Sequence, residues 1–236
     1  KVLVEKGNNQ QATTDLQTYI KTYPNGKYID ETNELLSEIL FETSNYVSAI
    51  TYIEGLARRT PKIDEAYQKL TYNQGVLDFN VEKFESSIGY FNKSLSKPVN
   101  NKLALQAKFW KAESNYQLEK PGTEELYREL LNSSDNLLRL KSLYSLGYLF
   151  YNQKNYRKAQ GYFEDFRTKA KNESELSQNY EDALVRLGDC FLANKEYAQA
   201  LKSYDTALQI NKTDKDYAMY QKGLTLKFLG RDSKSK

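Results

Sequence analysis

The chain repeats itself, and this constrains its fold more than any other feature. One stretch reads Asn45-Tyr46-Val47-Ser48-Ala49-Ile50-Thr51-Tyr52-Ile53, a second Asn155-Tyr156-Arg157-Lys158-Ala159-Gln160-Gly161-Tyr162-Phe163, and a third Glu196-Tyr197-Ala198-Gln199-Ala200-Leu201-Lys202-Ser203-Tyr204. Each places an aromatic residue first, a small residue three on and a bulky one four further. Phe84, Ser87 and Phe91 follow the same scheme with serine as the small residue. Upstream lies a second helical pattern with a small residue in its middle: Ser37, Gly75, Ala112, Gly147, Gly188 and Gly223, spaced by 38, 37, 35, 41 and 35 residues. A glycine inside a helix costs roughly 1 kcal/mol relative to alanine, so its return at one phase calls for a packing reason. Two antiparallel helices cross closely only where one lacks a side chain, and the small residue of the second helix (Ala49, Ser87, Ala159 or Ala200) is expected to meet it there. Units of this length cannot bury an apolar face alone and must stack on their neighbours. The pattern therefore predicts an all-α solenoid of antiparallel helix pairs.

The composition removes most catalytic chemistry. The 236 residues include no histidine and a single cysteine, Cys190. A histidine-activated nucleophile is impossible, and so is a zinc site built from His and Cys. No phosphate-binding glycine motif occurs; the glycines read as packing positions. Cys190, beside Phe191 in a predicted helix, reads as a small buried filler. Glu124-Glu125 and Glu181-Asp182 read as charges at helix starts, where they suit the helix dipole. Lys and Arg number 34 against 31 Asp and Glu, a formal charge of +3 with both signs interspersed. That is a solvated helical surface, not a nucleic-acid face, and the basic tail from Lys227 to Lys236 reads as a frayed end. No apolar run approaches the roughly 20 residues of a membrane span. No catalytic residue, cofactor or metal is expected, and the chain reads as a non-enzyme.

These residues resemble the tetratricopeptide repeat (TPR) family, whose unit is a 34-residue helix-turn-helix with a small residue in the first helix, a turn aromatic and an alanine in the second. Leu146-Gly147 with Phe150, Tyr156, Ala159 and Phe163 match it well; Leu187-Gly188 with Phe191, Tyr197, Ala200, Tyr204 and Ala207 match it best. Pro24 and Pro61 hold the terminal-proline position, and Pro98 lies one residue off it. The resemblance implies a right-handed superhelical array over the whole chain. Its parts are a partial repeat at 1–26, repeats at 27–61 and 62–99, an irregular one at 100–134, repeats at 135–173 and 174–212, and a closing helix and tail at 213–236. The irregular repeat, around Trp110 and Pro121-Gly122, lacks the turn aromatic; Ala112 is its small residue, with Ser114 as the alternative. Trp110 reads as core. The 41-residue spacing predicts a longer loop near Lys171 to Gln178. Gly7-Asn8-Asn9 and Gly230-Arg231-Asp232 read as turns within repeats, residues 1–6 as the end of a first helix, and the chain as a fragment of a longer protein.

The resemblance implies that first helices line a concave face for a peptide or partner helix. Its expected partner-binding residues are Lys69, Tyr72 and Phe79; Lys141, Tyr144, Tyr148, Tyr151 and Asn152; Asp189; and Tyr220. Val76, Asp182, Val185, Leu192, Tyr217 and Leu224 are expected on the same face. Tyr144, Tyr148 and Tyr151 form an i, i+4, i+7 stripe. Tyrosine offers large contact area with a hydroxyl handle, although such a stripe also suits packing between helices. A chaperone-type carboxylate clamp finds Lys111, Asn115 and Arg186, but Ser145 and Asp182 stand where it needs Asn and Lys. That function is not carried over.

The expected role is a non-catalytic protein–protein interaction scaffold. The alternatives are a glycan-binding module using the tyrosine-rich face and the helper domain of an enzyme whose catalytic part lies elsewhere. Tyr23-Pro24-Asn25-Gly26-Lys27-Tyr28 resembles links in bacterial envelope TPR proteins, and Phe109 to Tyr116 resembles repeats of Bacteroidetes-type TPR proteins. A periplasmic or outer-membrane-associated location is expected, with the cytoplasm as the alternative. The sequence leaves the oligomeric state open.

Overall fold

The computed structural model describes residues 8–42, 45–210 and 215–232. Among them stand twelve α-helices and one 3-10 turn, with no strand. The chain forms two compact units, Lys1–Pro121 and Gly122–Lys236. The first holds α1 (Asn9–Thr22), α2 (Ile29–Glu42), α3 (Tyr46–Glu54), α4 (Pro61–Asn80), α5 (Phe84–Ser96) and α6 (Asn101–Gln117). The second holds α7 (Thr123–Leu130), α8 (Asn136–Asn152), α9 (Tyr156–Ala170), α10 (Ser177–Ala193), α11 (Tyr197–Ile210) and α12 (Lys215–Asp232). The two helices of the irregular repeat, α6 and α7, thus belong one to each unit.

The helices start where side chains can satisfy the orphaned N–H groups of a first turn. Asn8, Asn45, Thr60, Asn100, Asp135 and Asn155 each accept a hydrogen bond from the backbone N–H three residues on. Pro61, with no N–H to lose, opens α4. Tight turns close four first helices. Glu82, Glu119, Lys154 and Lys195 all take a left-handed backbone, with φ of 60°, 52°, 59° and 62°. The next residue's N–H then reaches back to the helix: Lys83 to Asp78 at 2.8 Å, Lys120 to Asn115 at 2.9 Å, Asn155 to Phe150 at 2.9 Å and Glu196 to Phe191 at 2.8 Å. This is a Schellman-type stop built without glycine.

Consecutive helices pack within each unit, and first helices also touch first helices: α2 with α4, α4 with α6, α8 with α10 and α10 with α12. The glycines show why the pairs fit. A Cβ on Gly75 would lie 2.7 Å from the Phe91 ring, one on Gly147 2.5 Å from Phe163, and one on Gly188 2.5 Å from Tyr204. The expectation needs an addition: the atoms nearest each glycine belong to the aromatic residue four beyond the small one. Ser87 does reach Gly75, donating its hydroxyl to the Gly75 carbonyl at 2.9 Å. The small residue admits the second helix, and the ring then takes the volume that the glycine vacates. Gln68, fully buried in α4, holds the entry to α6 by accepting from the N–H groups of Val99 (3.0 Å) and Asn100 (2.7 Å).

Other expectations meet the structure as follows. Ala112 and Ser114 are both fully buried, and the Ser114 hydroxyl sits 3.1 Å from that of Ser87. Trp110 packs edge-on against Phe79, centroids 4.9 Å apart. The loop near Lys171 is shorter than expected. A 3-10 turn at Ser174–Leu176 buries Leu176, and α10 begins at Ser177. Glu181 and Asp182 consequently lie beyond the first turn of α10, whereas Glu124 and Glu125 do occupy the first turn of α7. Asn8 caps α1 and Asn9 is already helical. At the other end the backbone stays helical through Asp232, so Gly230 does not end α12; glycine stops a helix only where the chain turns left-handed. The readings on residues 1–7 and on the extreme tail lie outside the described residues.

Candidate functional site

The first-helix face of the second unit carries a ladder of tyrosine hydroxyls, carboxylates and one guanidinium. On α8, Tyr144, Tyr148 and Tyr151 recur at i, i+4 and i+7, which places them on one side of a helix. On α10, Asp182, Arg186 and Asp189 have the same spacing. The two helices meet, so each tyrosine faces a charged residue 38 positions on. Tyr144 donates to Asp182 at 2.8 Å, and Tyr151 donates to Asp189 at 3.1 Å. Tyr148 donates to Asp182 at 2.5 Å and accepts from Arg186 Nε at 3.2 Å. Arg186 closes the ladder along its own helix, bonding Asp182 Oδ1 at 3.3 Å and Asp189 Oδ2 at 3.0 Å.

Asp189 is the hub. It is 8% exposed and also accepts from Tyr204 of α11 at 2.8 Å and Tyr217 of α12 at 3.1 Å. Three tyrosines and one arginine therefore share one carboxylate, tying α8, α10, α11 and α12 together. Burial pushes the Asp189 carboxyl up, and the bonds from Tyr204, Arg186, Tyr217 and Tyr151 offset only part of that push. Burial, followed by the charges of Asp182 and Asp189, drives the hydroxyls of Tyr144, Tyr148, Tyr151 and Tyr204 well above the usual tyrosine range. For Arg186 burial opposes the charge, yet Tyr148 and Asp182 outweigh it and its pKa rises. The four tyrosines and Arg186 keep their protons through neutral pH, so the ladder is an array of donors on carboxylates.

The structure thus brings Tyr144, Tyr148, Tyr151 and Asp189 together, with Asp182 and Tyr217 among them. The rings are half-buried: Tyr144 packs against Phe166 at 5.3 Å, and Tyr148 packs edge-on against Phe163 at 5.6 Å. Lys141 lies half-buried one turn before Tyr144, and Asn152 is exposed at the end of α8. Tyr220 projects from α12, 68% exposed. Val185, expected on this face, is instead buried at 1%, because it points from α10 into the core. Leu192 and Leu224 are half-buried. In the first unit, exposed Lys69 holds its Nζ 4.5 Å over the Phe41 ring. Tyr72 lies against Phe91 at 6.1 Å, and Phe79 sits edge-on to Phe84 at 5.3 Å. Val76 is half-buried.

Sequence reasoning weighed Arg186 only as a clamp residue and Tyr204 only as packing. The shared i, i+4, i+7 spacing of tyrosines and charges was the available signal. Arg186 is committed within the ladder, with its guanidinium carbon 5.3 Å from the Tyr217 ring centroid.

Tetratricopeptide repeat family models match residues 181–214 and 140–164. No curated protein matches the sequence. Among solved structures, the C-terminal part of a TPR repeat-containing protein from Cytophaga hutchinsonii is similar. It has 15% identity over 93% of this chain and 83% of that chain, with a TM-score of 0.64. YrrB, described as a TPR protein with an unusual peptide-binding site, shares 15% identity over 87% of this chain and 97% of its own, with a TM-score of 0.58. The apo form of the quorum sensor NprR from B. thuringiensis shares 14% identity over 95% of this chain and 66% of that chain, with a TM-score of 0.54. At these identities the likeness concerns the fold. With the two matched repeats and the glycine–aromatic register, it identifies the fold as that of tetratricopeptide-repeat proteins.

Proposed function

We propose that the chain is a non-catalytic scaffold that receives a peptide or helix of a partner protein on its first helices. The observation that carries this reading is the hub at Asp189. It preorganises three successive first helices, α8, α10 and α12, so a partner would meet a surface already ordered. Around the ladder, half-buried Lys141 and exposed Asn152 and Tyr220 form a rim, and the half-buried rings of Tyr144, Tyr148 and Tyr151 supply aromatic area. Lys69, Tyr72 and Phe79 offer the corresponding positions on the first unit. The ladder tyrosines spend their hydroxyl protons on carboxylates, which favours a protein partner over a glycan that would need those donors. Cys190 is fully buried, its thiol pushed up to about 12 mainly by burial, and is no nucleophile at neutral pH.

YrrB's peptide-binding site supports peptide recognition as a use for such a fold. No helix among the described residues is long and apolar enough to cross a membrane. A periplasmic or outer-membrane-associated location, with the cytoplasm as the alternative, rests on the Tyr23–Tyr28 link and is tested by fractionation of the native host. The binding reading is tested with Lys141→Glu and Tyr220→Ala, which alter the rim and spare the hub. Both variants should keep the parent's melting temperature and lose a partner captured by the parent chain. Capture that survives both changes refutes the site.

A further inference from the structure

A second feature lies in the first unit, between α2 and α4. There a groove of about 280 Å³ is floored by Phe41, Ile63 and Ala66 and rimmed by Glu34, Glu38, Glu42 and Glu65. The volume falls just below the roughly 300–1,000 Å³ of small-molecule sites, which suits one or two side chains of a larger partner. The rim is net negative: four glutamates stand against two lysines, and both lysines are engaged. Lys62 Nζ lies 2.6 Å from Glu38 and 3.8 Å from Glu34, and Lys69 caps the Phe41 ring at 4.5 Å. Glu34 also accepts from the Thr60 hydroxyl at 2.6 Å. Glu42 and Glu65 are exposed and have no ion-pair partner among the described residues.

We infer that this groove docks a basic amphipathic segment of a partner protein, one apolar residue entering over Phe41 and Ala66 while flanking Lys or Arg side chains pair with Glu42 and Glu65. The inference rests on the scaffold reading above and assigns its partner a chemistry. The argument is charge complementarity over an apolar floor. An acidic segment would meet four carboxylates, whereas a basic one pairs with two that have no other cation among the described residues. Lys62 is held by its ion pairs, whereas Lys69 can leave the ring it covers without breaking an ion pair among the described residues. Like-charge juxtaposition against the wrong partner and steering of the right one are the usual yield of such a rim.

The test is selection of phage-displayed peptides of about nine residues on the whole chain, followed by anisotropy of the best peptide carrying a fluorophore. The expected winners carry Leu, Met or Phe flanked by Lys or Arg. Their affinity should fall about tenfold or more on Glu42→Lys with Glu65→Lys, fall again on Ala66→Leu, which fills the floor, and weaken with added salt. Unchanged circular-dichroism melts establish that these variants fold. Acidic winners, or winners indifferent to the groove variants, overturn the inference. If such winners are lost on Lys141→Glu and Tyr220→Ala, the scaffold reading stands and the groove alone falls; a library yielding no binder overturns both. Self-association abolished by Glu42→Lys would give the groove to a second copy, and likewise overturn it.

Discussion

Gly147 and Gly223 occupy equivalent positions in first helices, yet replacing each by alanine should move stability in opposite directions. In either helix the added methyl recovers roughly 1 kcal/mol of helix propensity. At Gly147 the new Cβ would stand 2.5, 2.7 and 2.8 Å from three atoms of the Phe163 ring, against a normal carbon–carbon contact of about 3.5–4.0 Å. The ring must retreat by about 1 Å to restore normal contact. It is fully buried, with Tyr148 edge-on at 5.6 Å and Tyr144 at 6.2 Å, so a retreat disturbs the ladder as well. Overpacking of this kind costs about 1–3 kcal/mol, and a rigid aromatic neighbour belongs at the upper end. The net for Gly147→Ala is a loss of about 1–2 kcal/mol. At Gly223 nothing lies within 4 Å of the added Cβ, so Gly223→Ala keeps its propensity gain, about 0.5–1 kcal/mol. Urea unfolding followed by circular dichroism, compared at constant slope, should separate the two variants by about 2–3 kcal/mol. A Gly147→Ala chain as stable as Gly223→Ala would refute the glycine–aromatic account. Phe163→Leu should rescue part of the loss in Gly147→Ala, because the smaller side chain yields the space.

Three further outcomes follow from the same geometry. Lys154→Gly should stabilise by about 0.5–1 kcal/mol, since φ of 59° strains any residue with a Cβ; the same change at exposed Lys158, inside α9, should destabilise by a similar amount, as thermal melts would show. Asp189→Asn should cost about 2–4 kcal/mol in chemical denaturation, because an amide presents N–H groups where three hydroxyls and a guanidinium donate. Tyrosines with raised folded-state values hold their stabilising contribution below the ordinary value of 10 and lose it as pH climbs toward the folded value. Absorbance at alkaline pH should therefore show Tyr52 and Tyr67 ionising near 12, Tyr144, Tyr148, Tyr151 and Tyr204 still later, and unfolding setting in over that range.

The helix pairs were legible because they rest on local sterics that recur in register. A glycine at one phase of a first helix, and a small residue three beyond a turn aromatic, have few explanations other than a close crossing. What fills the crossing was not legible, since Ala159 and Phe163 both lie on the inward side of α9 and only the crossing geometry decides which one covers Gly147. The turns were hidden for a related reason. Glu82, Glu119, Lys154 and Lys195 take a backbone that sequence reading reserves for glycine or asparagine, and only the pull of the reaching N–H that follows holds them there.

The tyrosine stripe shows where single-helix reasoning ends. Spacing alone places Tyr144, Tyr148 and Tyr151 on one side of α8, and it cannot tell a ring that faces a partner from a ring that faces α10. The missing information is how far α10 has advanced past α8, and the longer spacing between Gly147 and Gly188 alters that advance. The offset of 38 residues that joins Tyr144 to Asp182 and Tyr151 to Asp189 is three short of the 41 that separates the two glycines, so the ladder joins positions that are not equivalent in their repeats. Aligning the repeats by their glycines therefore sets Tyr148 against Asp189, whereas in the structure it is Tyr151 that donates to Asp189. A hub of this kind arises from the irregularity in the array rather than from its consensus. Loss of the hub should therefore tell what the ordering of this face is for.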